Sequence, residues 1–369
     1  MKVIFLLESI SQPRCIKRIN SFIDKGFEVS VYGIDRNKYN VNAEKQHFKT
    51  NVFANYKDRG RYLFKLYNNF KQVRNIIKNN DGKKVLFYSF GFMLTFNLFL
   101  LNARNYVYEM SDIIYGRKKI KWARWFFKYL DMKMIKKSHL TVMTSKGFYN
   151  YFFCNKEMKN VLIQENKLDI SLSKIDRSAI KTEIDVENLT FSYAGAFRYP
   201  NTIFRFAKII GRHFPQHRFH FYGDSHLTGV VKDLDKKYQN VTYFGPYNNP
   251  DDLINIYKNV DIVVACYDTS GLNEKIAEPN KFYEAIFFKK PIIVSKNTYL
   301  ENKVKEMNSG VSIDATKDQN IIEFINHLTQ DRLENIIQNI NRINDNYAVD
   351  DNSSKIINFM NQNTPHPIN

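Results

Sequence analysis

The stretch NEKIAEPNKFYEAIFFKKPIIVS, residues 273–295, reads as a short helix running into a buried strand. Pro279 suits a first helical turn, where a missing N–H costs nothing, and Lys290-Pro291 punctuates the chain before the β-branched run Ile292, Ile293 and Val294. The helix is expected at 279–288 and the strand at 292–295, and the same alternation extends upstream. Strands are expected at 189–193, 218–222, 241–244 and 261–265, with helices at 202–213, 227–238 and 251–259 between them. Helices at 319–329 and 332–342 follow, and the tail 353–361 carries Ile356, Ile357, Phe359 and Met360. Apolar strands alternating with helices are the pattern of a parallel sheet covered on both faces.

The N-terminal half repeats this pattern independently. A strand at 3–7, a helix at 14–25 and a strand at 28–32 form one βαβ unit, and further apolar runs stand at 85–89, 106–110, 140–144 and 161–164. Between 166 and 188 the periodicity dissolves into NKLDISLSKIDRSAIKTEIDVEN, read as the linker. With 369 residues, 44% of them hydrophobic, two doubly wound α/β domains are expected. Fourteen glycines and nine prolines are few for this length, which excludes collagen-like and linker-rich chains. Cys15, Cys154 and Cys266 are odd in number and widely spaced, which argues against a disulfide framework or a zinc site and suits a reducing cytoplasm. The apolar run at 3–7 ends at Glu8, too soon for a signal-peptide core, so no export is implied. The uncharged stretch 85–101, VLFYSFGFMLTFNLFLL, would span roughly 25 Å as a helix against a hydrocarbon core of ~30 Å. A strand, a turn at Gly91 and a buried helix describe it better.

The net charge of +18 is unevenly placed. Residues 1–170 hold 32 Lys+Arg against 13 Asp+Glu, net +19, and residues 171–369 hold 55−32 = 23 against 37−13 = 24, net −1. A general lysine bias would spread over both halves, so the first half is expected to meet an anionic partner. Much of the excess lies in 117–137, RKKIKWARWFFKYLDMKMIKK. Arg117, Lys121, Arg124 and Lys128 fall on one helical face, with Trp122 and Trp125, then Phe126 and Tyr129, on the adjoining one. Such a helix suits an anionic membrane surface, each basic residue adding about 1 kcal/mol; an ordinary core helix with a solvated basic face is the plainer reading. No RNP or KH pattern accompanies it, so no nucleic acid is expected.

The first strand leads into LLESISQPRC rather than GxGxxG, and no Walker, GxSxG or HExxH motif occurs. Asp233 and Asp235 match a DxD metal pattern but lie in a charged helical stretch and read as a solvated face. The opening stretch is more informative. Unpaired N–H groups at a helix start attract phosphate, so Asn280 and Lys281 can hold a diphosphate, and Glu284, one turn on, can accept ribose hydroxyls or pair with Lys281. In the first half, the strand 106–110 ends in Glu109, Met110, Ser111 and Asp112. Asp112, or its competitor Glu109, can take a proton from a reacting hydroxyl; helix capping by Ser111 or Asp112 is the alternative.

Four segments together resemble the retaining glycosyltransferases of the GT-B fold, family four: PNKFYEAIFFKKPIIVS, FSYAGAFR, NVTYFGPYNNPDDLINIYKNVDIVVA and SQPRCIKRINSFIDKGFEVSVYG. The resemblance covers nearly the whole chain. It implies two Rossmann-like domains facing each other across a cleft, the first at 1–168 completed by a returning helix at 350–369, the second at 186–349. Glu284 then matches the second glutamate of the family's E-x7-E element; the first is Ile276 here, and Glu274 and Glu278 are the candidates to stand in for it. Gly195 and Arg198 match the glycine-and-arginine loop on the diphosphate, Lys281 replaces a lysine absent near Asn201 and Thr202, and Pro246 and Tyr247 fall beside the base. The resemblance implies transfer from a nucleotide-diphosphate sugar to a lipid-linked or saccharide acceptor. Retention, no obligatory metal or other cofactor, a role in bacterial surface-polysaccharide assembly and a cytoplasmic, peripheral position on the inner face of the plasma membrane are also expected. A GT-B nucleotide-sugar epimerase and a non-catalytic nucleotide-sugar-binding module are the alternatives.

Overall fold

The computed structural model describes residues 2–36, 46–56, 62–80, 84–103, 105–116, 120–181 and 183–363. The chain divides into two compact units, residues 1–166 with 351–369, and residues 167–350.

The first unit is built on β1 (Lys2–Leu7), α1 (Pro13–Asp24), β2 (Glu28–Asp35), β3 (Thr50–Asn55), α2 (Tyr62–Lys78), β4 (Val85–Phe90), α3 (Phe92–Leu100), β5 (Tyr106–Met110), α4 (Lys121–Lys137), β6 (Leu140–Met143), α5 (Lys146–Phe153) and β7 (Val161–Ile163). Its strands form a parallel sheet in the order β3-β2-β1-β4-β5-β6-β7. The chain moves one way from β1 and the other way from β4, so the switch in direction lies between these two strands. The run 85–101 resolves as β4, a turn at Gly91 with φ +88°, and α3. Val3, Phe5, Cys15 and Phe22 share a core with Ile356, Ile357 and Met360 of the final helix.

The second unit contains β8 (Leu168–Asp169), β9 (Thr190–Ala194), α6 (Arg205–His213), β10 (Arg218–Tyr222), α7 (Thr228–Lys237), β11 (Val241–Tyr243), α8 (Leu253–Tyr257), β12 (Ile262–Ala265), α9 (Leu272–Ile276), α10 (Asn280–Phe287), β13 (Ile292–Ser295), α11 (Tyr299–Glu306), β14 (Gly310–Ile313), α12 (Asp318–Asn326), α13 (Gln330–Arg342) and β15 (Val349–Asp350). The final helix, α14 (Ser354–Asn363), belongs to the first unit. The main sheet is parallel in the order β11-β10-β9-β12-β13-β14, with its switch between β9 and β12. Apolar clusters cover both faces: Phe191, Phe219 and Val264 with α6 on one, Val263, Ile292 and Val294 with α10 on the other. Each such side chain contributes about 1.5–3 kcal/mol on burial, which explains why the strands read as unbroken apolar runs.

Three differences from the sequence reading stand out. Residues 167–181, expected to be linker, pack on the second unit: β8 pairs with β15, and Arg177 donates to the Phe287 carbonyl at 2.7 Å and to Asp345 at 2.6 Å. The helix expected at 202–213 starts earlier, as a π-helical turn over Pro200–Phe204 that continues into α6. Finally, β3, α2, α9, α11 and β14 were not expected at all.

Candidate functional site

In the second unit, the backbone leaving β9 turns at Gly195, whose φ of +139° disfavours any side chain. A Cβ there would lie 2.6 Å from Lys281 Nζ, so the missing side chain is the space the ammonium occupies. Lys281 comes from the first turn of α10, which no side chain caps. Its Nζ stands 4.8 Å from the centre of the Tyr193 ring. Burial lowers the Lys281 pKa, the Glu284 carboxylate opposes that shift, and the positive charge of Arg198 adds to it. A strand-end glycine, two cations and a free helix start therefore converge at the β9/β12 switch, where open parallel sheets bind ligands.

Glu284 is 2% exposed and accepts a hydrogen bond from Tyr257 Oη at 2.7 Å, with Asn249 Nδ2 at 3.5 Å from its other oxygen. It is thus tied to α8 and its preceding loop, and the alternative of an i,i+3 ion pair with Lys281 is not the contact observed. Tyr247 lies near it: burial first, then the Glu284 charge, pushes the Tyr247 hydroxyl well above its ordinary range. Arg198, Pro246 and Asn280 are exposed at the rim.

Glu278 departs from expectation. Its side chain is fully buried and paired with Lys303 Nζ and Tyr283 Oη, and Lys303 donates to Tyr283 at 2.8 Å. A carboxylate so engaged braces the segment ahead of α10 from below instead of facing a donor sugar. Glu274 is half-buried beside Gly271. Asp233 and Asp235 are exposed, and Asp235 accepts from the Tyr243 backbone N–H at 3.2 Å. Among the described residues no group of three or more His, Cys, Asp or Glu side chains is arranged to hold a metal ion.

In the first unit the two candidate carboxylates separate. Glu109 is fully buried, with Arg18 Nε at 3.1 Å, Arg14 Nε at 3.2 Å and Tyr88 Oη donating at 2.5 Å. It fastens α1 to β4 and β5, and the competitor role as proton acceptor for a reacting hydroxyl does not suit a side chain with no exposure. Asp112 is exposed in the loop after β5. Sequence reasoning missed its neighbour Glu8, at the end of β1 beside the β1/β4 switch. Glu8 Oε1 accepts from the Met93 N–H at 2.6 Å at the start of α3, and Arg36 lies 3.8 Å from Oε2. Burial raises the Glu8 pKa; Arg36 and the Met93 and Leu94 N–H groups oppose this, and the Asp112 charge adds to it. Gly91 makes room, since a Cβ there would meet the Glu8 carboxyl at 2.6 Å. The only sequence signal was an acidic residue closing an apolar strand.

The basic aromatic segment is also rearranged. Arg117 lies outside the described residues. Lys128 donates to the Tyr151 carbonyl at 2.7 Å and sits 4.1 Å from that ring, so it is committed to α5. Arg124 is half-buried and Lys121 exposed. The aromatic stripe is the outward one, with Trp122 71%, Trp125 69%, Phe126 46% and Tyr129 47% exposed, while Ala123, Asp131, Met134 and Ile135 face the core. Trp122, Trp125, Phe126 and Tyr129 therefore do not fill the core, although α4 packs its other face on it, as an ordinary core helix does. Among the described residues no helix is long and apolar enough to cross a membrane.

Two Rossmann-like units with these strand orders, the second bringing Lys281 and Arg198 together near its switch point, have the architecture of the GT-B fold. Residues 175–343 match the family "Glycosyl transferases group 1", which makes the second unit a domain of that family. Solved structures share the architecture at low identity. Anabaena Alr3699/HepE in complex with UDP and glucose is 17% identical with a TM-score of 0.68, over 98% of this chain and 100% of that one. Sucrose-phosphate synthase from Thermosynechococcus elongatus is 12% identical with a TM-score of 0.66, over 92% and 93%. The lipopolysaccharide outer core galactosyltransferase WaaB is 12% identical with a TM-score of 0.57, over 92% and 95%. Comparison with curated protein sequences returned no match.

Proposed function

We propose that the second unit binds a nucleoside-diphosphate sugar, with a UDP-sugar the first donor to test, and that the chain passes the sugar with retention to a lipid-linked saccharide in bacterial surface-polysaccharide assembly. The observation that carries the reading is Lys281 seated over Gly195 at the uncapped start of α10, with Glu284 one turn further on. Departure of the diphosphate develops negative charge, and Lys281, Arg198 and the α10 N–H groups stabilise it by preorganised electrostatics, without an obligatory metal. Glu284, oriented by Tyr257, accepts the ribose hydroxyls. HepE with UDP and WaaB, acting on lipopolysaccharide outer core, support the donor and the pathway by analogy of fold. Calorimetry with a panel of nucleotide sugars tests the donor, and Glu284→Ala and Arg198→Ala should each weaken binding at least ~10-fold, the effect of losing a charged hydrogen bond. Unchanged affinity in Glu284→Ala refutes the assignment, and loss of transfer in EDTA refutes the metal-independent form.

On the acceptor side, Asp112 is the proposed proton acceptor and α4 the contact with the anionic inner leaflet, placing the protein in the cytoplasm. The outward aromatics support this reading, since rings of that kind settle at the headgroup level while neighbouring lysines meet anionic lipid. Pelleting with vesicles of mixed phosphatidylglycerol and neutral lipid should fall in Trp122→Ala/Trp125→Ala and in Lys121→Gln/Arg124→Gln. Equal pelleting by both variants and the parent removes α4 from the reading.

A further inference from the structure

The first unit exposes a second helix of aromatic and basic residues. α1 and α14 cover one face of its sheet. α4 packs on the other, where the Tyr106 and Tyr108 hydroxyls donate to the Met134 carbonyl and to Asp131, and α3 lies against both α4 and α2. On α2 the outward stripe is Phe64, 60% exposed, and Tyr67, 68% exposed, followed by exposed Lys71, Arg74 and Lys78. Spacings of 3, 4, 3 and 4 keep all five on one helical face. The order on α4 is the same: Trp122, Trp125, Phe126 and Tyr129 come first, and exposed Lys133, Lys136 and Lys137 follow.

Topology aligns the two stripes. α2 leaves the carboxyl end of β3 and α4 that of β5, and each returns to the amino end of the next strand of a parallel sheet. Their aromatic halves therefore both lie at the carboxyl ends of the strands, with exposed Ile114 and Ile120 from the loop before α4. Their basic halves lie at the amino ends, about 15 Å away at a rise of 1.5 Å per residue. Exposed Lys121, half-buried Lys65, Arg124 and Lys128, and exposed Leu100 at the end of α3 depart from this banding. The charge of the layer has one sign: α2, α3 and α4 contain a single acidic residue, Asp131, which is 1% exposed. Asp112, exposed in the loop after β5, is the acid at the aromatic edge. Lysine is depleted from the cores of protein interfaces, whereas rings beside bases of one sign match the headgroups and negative potential of an anionic bilayer.

We propose that α2 is a second lipid-binding helix, and that α2 and α4 together orient the first unit on an anionic bilayer. The aromatic halves enter the headgroup region and the basic halves stay at its surface, which turns the strand carboxyl ends, with Asp112, toward the lipid. The proposal rests on the α4 membrane contact. Trp122 and Trp125 are the two tryptophans of the chain, so quenching of their emission by vesicles of phosphatidylglycerol and brominated phosphatidylcholine reports α4 directly. In a Trp122→Phe/Trp125→Phe background, Phe64→Trp should be quenched several-fold more than Asn75→Trp, which lies on the same face in the basic half. Phe64→Ala/Tyr67→Ala and Lys71→Gln/Arg74→Gln should each weaken vesicle partitioning of the full chain at least ~10-fold at unchanged melting temperature, and the second effect should vanish at high salt. Quenching of Trp122 and Trp125 together with full partitioning of both α2 variants overturns the role of α2 and leaves the α4 contact standing; absence of quenching at every position overturns both. Equal quenching of Phe64→Trp and Asn75→Trp overturns the orientation, and tighter binding of single-stranded RNA than of vesicles at the same salt overturns the lipid assignment.

Discussion

Replacing Lys303 with methionine removes the ammonium that neutralises Glu278 and stands near the Phe282 and Tyr283 rings, while keeping an unbranched side chain in its place. Glu278 has no side-chain exposure and Lys303 has 9%, so water cannot take over from the lost partner. Breaking a buried ion pair from one side costs about 3–5 kcal/mol, because the remaining charge is uncompensated. At about 2–4 °C per kcal/mol for a unit of this size, the melting temperature should fall by roughly 6–20 °C. The double variant Glu278→Gln/Lys303→Met leaves no buried charge and should be more stable than Lys303→Met alone, so a thermal double-mutant cycle measures the coupling. Calorimetry with UDP separates this bracing role from a donor contact, since Glu278→Gln should bind UDP within about twofold of the parent, a difference under 1 kcal/mol. A cost under about 1 kcal/mol for Lys303→Met would place the pair among surface salt bridges and refute the reasoning. A Glu278→Gln variant of normal stability that loses UDP would return Glu278 to the donor.

Three further outcomes follow from the same geometry. Burial lifts the Asp131 pKa from 3.8 to about 7, so its stabilising contribution is complete below about pH 4 and is lost as pH rises through about 7. The shift amounts to roughly 4 kcal/mol, and Asp131→Asn should reduce the fall in melting temperature between pH 4 and 8; an unchanged profile places the titration elsewhere. Gly195→Ala should weaken UDP binding about 10-fold by displacing Lys281, and cost about 1–3 kcal/mol in strain at φ +139°, and normal UDP affinity would detach Lys281 from the diphosphate. Asp112→Asn should lower turnover by at least ~100-fold with little change in UDP affinity, whereas near-normal turnover removes it as the proton acceptor.

The sequence disclosed those parts of the fold in which local pattern and tertiary role agree. Val85–Phe90 and Ile262–Ala265 are buried throughout because both sheet faces are covered, and such runs, apolar but for Ser89 and the Tyr88 hydroxyl, identify themselves. Thr50–Asn55 did not, since TNVFAN has a single fully buried residue, Ala54, and pairs only with β2. Gly310–Ile313 is likewise an edge strand, with one buried residue in four. Residues 167–181 read as linker because their attachment is polar: Arg177 binds a carbonyl and a carboxylate far along the chain, and no periodicity records that.

For the site, sequence reading depended on whether a residue's role is local. Lys281 and Glu284 owe their positions to one helix turn, so spacing alone places both on one face of α10. Their partners come from a distance, Gly195 and Tyr193 from β9 and its turn, and Tyr257 from α8, and only the fold brings them together. Glu109 shows the converse. A carboxylate at the end of a parallel strand is a reasonable proton acceptor until Arg14 and Arg18, spaced i and i+4 on α1, are seen to converge on it. The same helix that carries part of the basic excess of the first unit therefore spends two of its charges inside the protein. The excess that remains outside is correspondingly weighted toward segments such as α4, where lysines border exposed tryptophans, and a reading of net charge alone does not make that distinction.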